Sequence, residues 1–169
     1  MADPAPRGRA GRPTATELEA WRLFIETSIA VKARIDRAIQ TDSGLSAGDY
    51  AVLLALAEAD DRWLRTTELA TTVFWERSRL SHQITRMCAR GLVRREPSVR
   101  DQRGTEVHLT PEGLAALRAA SGPHLRTVKE VFVDALDADR QAEVAAAMRT
   151  LAAHLERLDA GDGAADAGA

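Results

Sequence analysis

The stretch from Arg65 to Thr110, RTTELATTVFWERSRLSHQITRMCARGLVRREPSVRDQRGTEVHLT, decides how this 169-residue chain folds. It reads as a short helix, a turn, a second helix, a strand, a basic loop and a return strand. In the second helix Leu80, Ile84 and Met87 recur at i, i+4 and i+7, and Cys88 and Leu92 continue that side, so one stripe is apolar. Ser78, Arg79, His82 and Arg86 fall on the opposite side, with Arg90 beyond them. No carboxylate lies between Arg77 and Arg95, whereas an ordinary solvated face mixes acids with bases. Arginine, serine, histidine and glutamine are side chains that reach base edges and phosphates in a major groove. Gly91 stands where a helix end favours a left-handed residue. Leu92 and Val93 then start a strand.

The hairpin behind this helix carries more basic charge. Glu96-Pro97-Ser98 is expected to break the first strand, and residues 99–104 form the tip. Thr105, Val107 and Leu109 alternate with Glu106 and His108, the period of a half-buried return strand. Arg100 and Arg103 in the tip suit a phosphate backbone or a narrow minor groove, and Asp101 is spaced to hold a guanidinium in a fixed pose. From Glu76 to Gly104 eight arginines stand against three acids, a net +5, in a chain whose formal charge is −2. Basic charge gathered on one element is the footprint of a nucleic-acid reader; an arginine-rich solvated face is the plainer alternative.

Several fragments of this region, in this order, resemble the MarR family of winged-helix regulators. They are Glu68-Leu69-Ala70, Ser78-Arg79-Leu80, Arg90-Gly91-Leu92-Val93-Arg94-Arg95, Asp101-x-Arg103-Gly104 and Leu109-Thr110-Pro111-Glu112-Gly113. The resemblance runs from roughly Ser46 to Leu117, and the flanking helices fit it less specifically. It implies a mainly α fold with a small β-hairpin wing: a winged helix-turn-helix flanked by N- and C-terminal dimerisation helices. It also implies that the second motif helix enters the major groove, which assigns Ser78, Arg79, Ser81, His82, Gln83 and Arg86 to base or phosphate contact. The wing residues Arg100, Asp101 and Arg103 follow by position, and Thr66 and Thr67 are expected to donate to a phosphate from a helix N-terminus. Many members bind a small aromatic effector between the dimerisation helices and the winged helix. Trp21, Phe24, Tyr50 and Trp63 suit such a cleft and equally suit plain core. The expected partners are a homodimer mate and double-stranded DNA with a pseudo-palindromic site, in a bacterial cytoplasm and associated with the nucleoid. Repression of nearby genes is the expected output.

Working outward, residues 1–13 (MADPAPRGRAGRP) read as a disordered basic arm. A single domain is expected over residues 14–158, with the winged helix at 46–110 and dimerisation helices at 14–44 and 111–158. The first helix runs from Thr16 to about Gln40, with an apolar face through Leu18, Trp21, Ile25 and Ile35 that is broader than one small domain needs. Ser46 caps the next helix with Asp49 at the capping-box position, and Tyr50, Leu53, Leu54 and Leu56 supply its core face. Trp63-Leu64 reads as a short strand added to the hairpin. Thr66 is expected to cap the first motif helix, and Phe74-Trp75 to plug the gap between the motif helices. Thr110-Pro111-Glu112 is a strong helix start, and Gly122-Pro123 predicts a kink or break near Ser121. The last helix, capped by Asp137, carries Val144, Met148, Leu151, Leu155 and Leu158 at heptad-like spacing and small alanines between them. Residues 159–169 read as a disordered tail.

Other chemistries find little support. The four histidines, His82, His108, His124 and His154, show no metal-ligand spacing, and there is no phosphate-binding glycine loop or nucleophile elbow. No cofactor and no enzymatic activity are expected. No apolar run approaches a membrane span and no signal-peptide core opens the chain, so no membrane partner is expected. The single Cys88 fits a reducing compartment and reads as a small core residue. Two rival readings remain beside the regulator: a winged-helix protein-interaction module, and a non-specific architectural DNA binder.

Overall fold

The computed structural model describes residues 11–98 and 104–166, with side chains through residue 160. Residues 1–10 of the expected basic arm (1–13) and the wing-tip residues Arg100, Asp101 and Arg103 lie outside the described residues, as do residues 167–169. The elements in order are α1 (Ala15–Ser43), α2 (Ala47–Glu58), β1 (Trp63–Arg65), α3 (Thr66–Thr72), α4 (Arg77–Ala89), β2 (Val93–Pro97), β3 (Thr105–Leu109), α5 (Pro111–Val128), a π-helical segment (Lys129–Val133) and α6 (Ala138–Asp166). This is the expected mainly α winged helix with flanking helices.

The core forms around α2. Its Tyr50, Val52, Leu53, Ala55 and Leu56 are all buried, so it is apolar on nearly every side, as a helix enclosed by others must be. Leu54, expected inside, is exposed instead. Around α2 gather Leu69 of α3, Leu80, Ile84 and Met87 of α4, Val93 of β2 and Val107 of β3. Ser46 caps α2, accepting from Asp49 N at 3.0 Å, and Asp49 Oδ2 accepts from Ser46 N at 2.9 Å.

The three strands form one antiparallel sheet in the order β1-β3-β2. Trp63 pairs with His108, and Val93 with Leu109. The first hairpin strand was expected to stop before Pro97, but β2 includes it, opposite Thr105. An edge strand tolerates this, because the N–H that proline lacks has no required partner on the open side. Gly91, at φ 70°, supplies the left-handed residue between α4 and β2.

Three helix expectations are corrected. First, α5 passes through Pro123 without a break at Ser121. The irregularity comes about two turns later, in the π segment, where Asp134 N donates to Lys129 O at 2.9 Å. Second, α6 extends to Asp166, past Leu158, although Gly161 and Gly163 each oppose helix formation. Third, Thr66 is the first residue of α3 and Arg65 is the cap; Glu68 Oε2 accepts from Arg65 N at 3.0 Å.

Candidate nucleic-acid interface

The sequence-predicted reading residues sit on α4, which is held from three directions. Its apolar stripe, Leu80, Ile84 and Met87, is fully buried against the core. From below, the α2 carboxylate of Asp49, only 2% exposed, accepts from Gln83 Nε2 at 2.7 Å and from Arg90 at 2.6 Å. From the wing, the Arg95 guanidinium of β2 donates to the Ser81 carbonyl at 2.9 Å. A buried carboxylate tolerates removal from water only when several donors face it, and here two side chains and a backbone N–H do so.

This arrangement removes Gln83 from the reading set. Gln83 is 5% exposed, three residues after Leu80 and four before Met87, so it lies on the buried stripe. Its amide is committed to Asp49 on one end and accepts from the Arg86 guanidinium on the other. The Thr66 hydroxyl donates to the Thr105 carbonyl at 3.0 Å, tying α3 to the wing, while its backbone stands at the first position of α3. Thr67 is exposed beside it.

Ser78, Arg79, Ser81, His82 and Arg86 are all exposed on α4. The Arg79 guanidinium lies over the Trp75 ring, 4.3 Å from its centroid, which restricts its rotamers. Trp75 is half-buried with its ring against Gly48 of α2, whereas Phe74, expected to pack inward with it, is 93% exposed.

The four aromatics expected at an effector cleft are not brought together. Trp21 and Phe24 share the outer half of α1, with ring centroids 6.1 Å apart, and both are exposed. Tyr50 is buried in the core against His124, 4.7 Å between centroids. Trp63 stacks on His108 across the sheet at 5.7 Å. Phe24 alone joins a large apolar groove of about 770 Å³, shared with Leu23, Val31, Phe132, Val144 and Met148.

Sequence reasoning missed Asp49 and Arg95 as supports for the reading helix. The capping-box spacing explained Asp49 completely at the local level, so nothing in the pattern called for a second role. No group of three or more potential metal ligands occurs among the described residues. No helix among them is long and apolar enough to cross a membrane.

Comparison with known proteins agrees with this geometry. A model of the MarR family matches residues 43–104. AbsC from Streptomyces coelicolor, a MarR family transcriptional regulator, is 35% identical with a TM-score of 0.80, the match covering 87% of this chain and 99% of that one. Sco3205 from the same organism, a MarR family regulator crystallised in complex with DNA, is 38% identical with a TM-score of 0.80, covering 85% of this chain and 94% of that one. BpsR from Bordetella bronchiseptica, whose DNA binding is regulated by 6-hydroxynicotinic acid, is 20% identical with a TM-score of 0.72, covering 84% and 98%, a likeness of fold. No curated protein sequence gives a significant match. The chain therefore belongs to the MarR family, whose members are transcriptional regulators and not enzymes.

Proposed function

We propose that this regulator acts as a homodimer that reads a pseudo-palindromic site on double-stranded DNA and represses nearby genes. The observation that carries the reading is the exposed face of α4: Ser78, Arg79, His82 and Arg86, without a carboxylate, on a helix anchored from beneath. Such a face suits a major groove lined with acceptors and bordered by phosphates. The complex of the similar Sco3205 with DNA supports it. Arg79, pre-oriented on Trp75, is the residue for bidentate guanine readout; Thr67 and the wing arginines Arg100 and Arg103 take phosphate or minor-groove contacts.

The dimer reading rests on uncovered apolar surface. Leu18, Trp21, Leu23 and Ile29 of α1 are exposed, as are Met148, Leu151, Leu155 and Leu158 of α6. A monomer seldom leaves so much contiguous apolar surface in water. A second copy related by a two-fold axis would bury both stretches and set the reading helices about one DNA turn, roughly 34 Å, apart. Release by a small aromatic effector is the finer part of the proposal, with BpsR as a precedent on the same fold.

The test is Arg79→Ala, with affinity measured on a selected site and on random duplex DNA. A loss of about 1–3 kcal/mol on the selected site with little change on random DNA is expected. Equal losses on both would mean that Arg79 contacts only the backbone.

A further inference from the structure

No other large apolar side chain among the described residues is as exposed as Phe74. Its backbone is also unusual, at φ 55°, a left-handed conformation that bulky L-residues rarely adopt. Two hydrogen bonds impose it: Phe74 N donates to Thr71 O at 3.1 Å, and Trp75 N to Ala70 O at 2.9 Å. The inward position of the turn is taken by Trp75, whose ring sits so close to Gly48 that a Cβ there would lie 2.9 Å from Cη2. The phenyl group at position 74 is therefore driven outward. Glycine or asparagine would make this turn with less strain and without exposing an aromatic ring. Neither the strain nor the exposure contributes to the fold, and strain of this kind gathers at functional positions.

The location indicates the function. Phe74 stands three residues before Arg77, the first residue of α4, and the N-terminal turn of a recognition helix is the part that enters the groove. It is also next to Trp75, on which Arg79 stacks. A phenyl ring has no hydrogen-bonding group. Among the features that base pairs present in the major groove, the one it can distinguish is the thymine 5-methyl group. We propose that Phe74 is a base-reading residue whose ring packs on the 5-methyl of one thymine in each half-site. This rests on the DNA-reading function proposed above.

The experiment uses the full-length protein and a duplex recovered by selection from random DNA. Thymines in each half-site are replaced one at a time by deoxyuracil, which removes only the methyl. Wild type is expected to lose about fourfold in affinity per half-site at one position, the effect of burying one methyl-sized group. Phe74→Gly should bind the thymine duplex with that loss already present and lose nothing further on the deoxyuracil duplex. Its thermal midpoint should be equal to or above wild type, because glycine relieves the left-handed strain, which separates lost contact from lost fold. If Phe74→Gly weakens thymine and deoxyuracil duplexes alike, the ring touches sugar and phosphate and the proposal fails. It fails also if no position shows a methyl effect while selection yields a clear site. A selection that yields no preferred site overturns the specific DNA-reading function together with it.

Discussion

Asp49 shows how one residue serves two levels of structure. Its carboxylate caps α2 locally and, across the fold, receives Gln83 and Arg90 from the reading helix and its end. Asp49→Ala leaves both donors and the Ser46 N–H without their acceptor. Because Arg90 is 46% exposed and water takes over part of its role, a loss of about 2–3 kcal/mol in urea unfolding is expected. A loss under 0.5 kcal/mol would show that the network is incidental. His124 gives a pH signature. Its ring lies against Tyr50, its Nδ1 is buried without a hydrogen-bond partner among the described residues, and burial holds its pKa below the ordinary 6.5. The unfolded chain therefore binds the proton first as pH falls. This contribution to stability is full above about pH 6.5 and declines as pH drops to and through the lowered folded value. Replacing it by His124→Gln should flatten the fall of the urea midpoint between pH 7 and 5; an unchanged slope would contradict the assignment. At this scale the sequence was legible where one pattern sufficed. The exposed arginines of α4 followed from helical period and charge, whereas Gln83 was misplaced because its polar amide hid its position on the buried stripe. Phe74 was misplaced because only the backbone conformation decides which of two adjacent aromatics turns inward.

Among the elements, the start of α5 fixes the wing to the rest of the domain. Thr110 caps it, accepting from Gly113 N at 2.9 Å, and its hydroxyl donates to Leu92 O at 2.8 Å. Gly113 lies so close to β2 that a Cβ would stand 2.0 Å from the Leu92 carbonyl oxygen, a backbone atom that has no freedom to move aside. Gly113→Ala should therefore destabilise by about 3 kcal/mol in chemical denaturation, through overpacking alone. A change within 0.5 kcal/mol would mean that the helix start moves independently of the sheet. The capping signature Thr110-Pro111 was visible in the sequence; the close approach was not, because it depends on where β2 passes. Pro123 illustrates the converse. Its local effect predicts a break, yet α5 continues, and the Thr127 hydroxyl donates to the Pro123 carbonyl at 3.3 Å within the same stretch. Packing of α5 on α1 and α2 outweighs the single missing hydrogen bond.

In the whole molecule, apolar surface divides into two parts. One encloses α2 and completes the winged helix. The other, on the outer half of α1 and along α6, stays largely exposed within its own chain. The excess width of the α1 stripe and the heptad-like spacing on α6 were readable as periodicity, and they correspond to the uncovered faces. The separation of the four aromatics was not readable, since Trp21, Tyr50 and Trp63 belong to three different surroundings that only the folded arrangement separates. The central claim joins these parts: two copies, held by α1 and α6, present two α4 helices to one DNA site. Fluorescence-anisotropy titration tests it most directly, using the DNA upstream of the protein's own gene, a duplex selected from random DNA and a scrambled duplex at two salt concentrations. The account predicts a hundredfold or greater preference for at least the selected duplex, saturation at two protomers per duplex, and a steep fall in affinity with salt. Equal binding to all three duplexes, or saturation at one protomer, would contradict it.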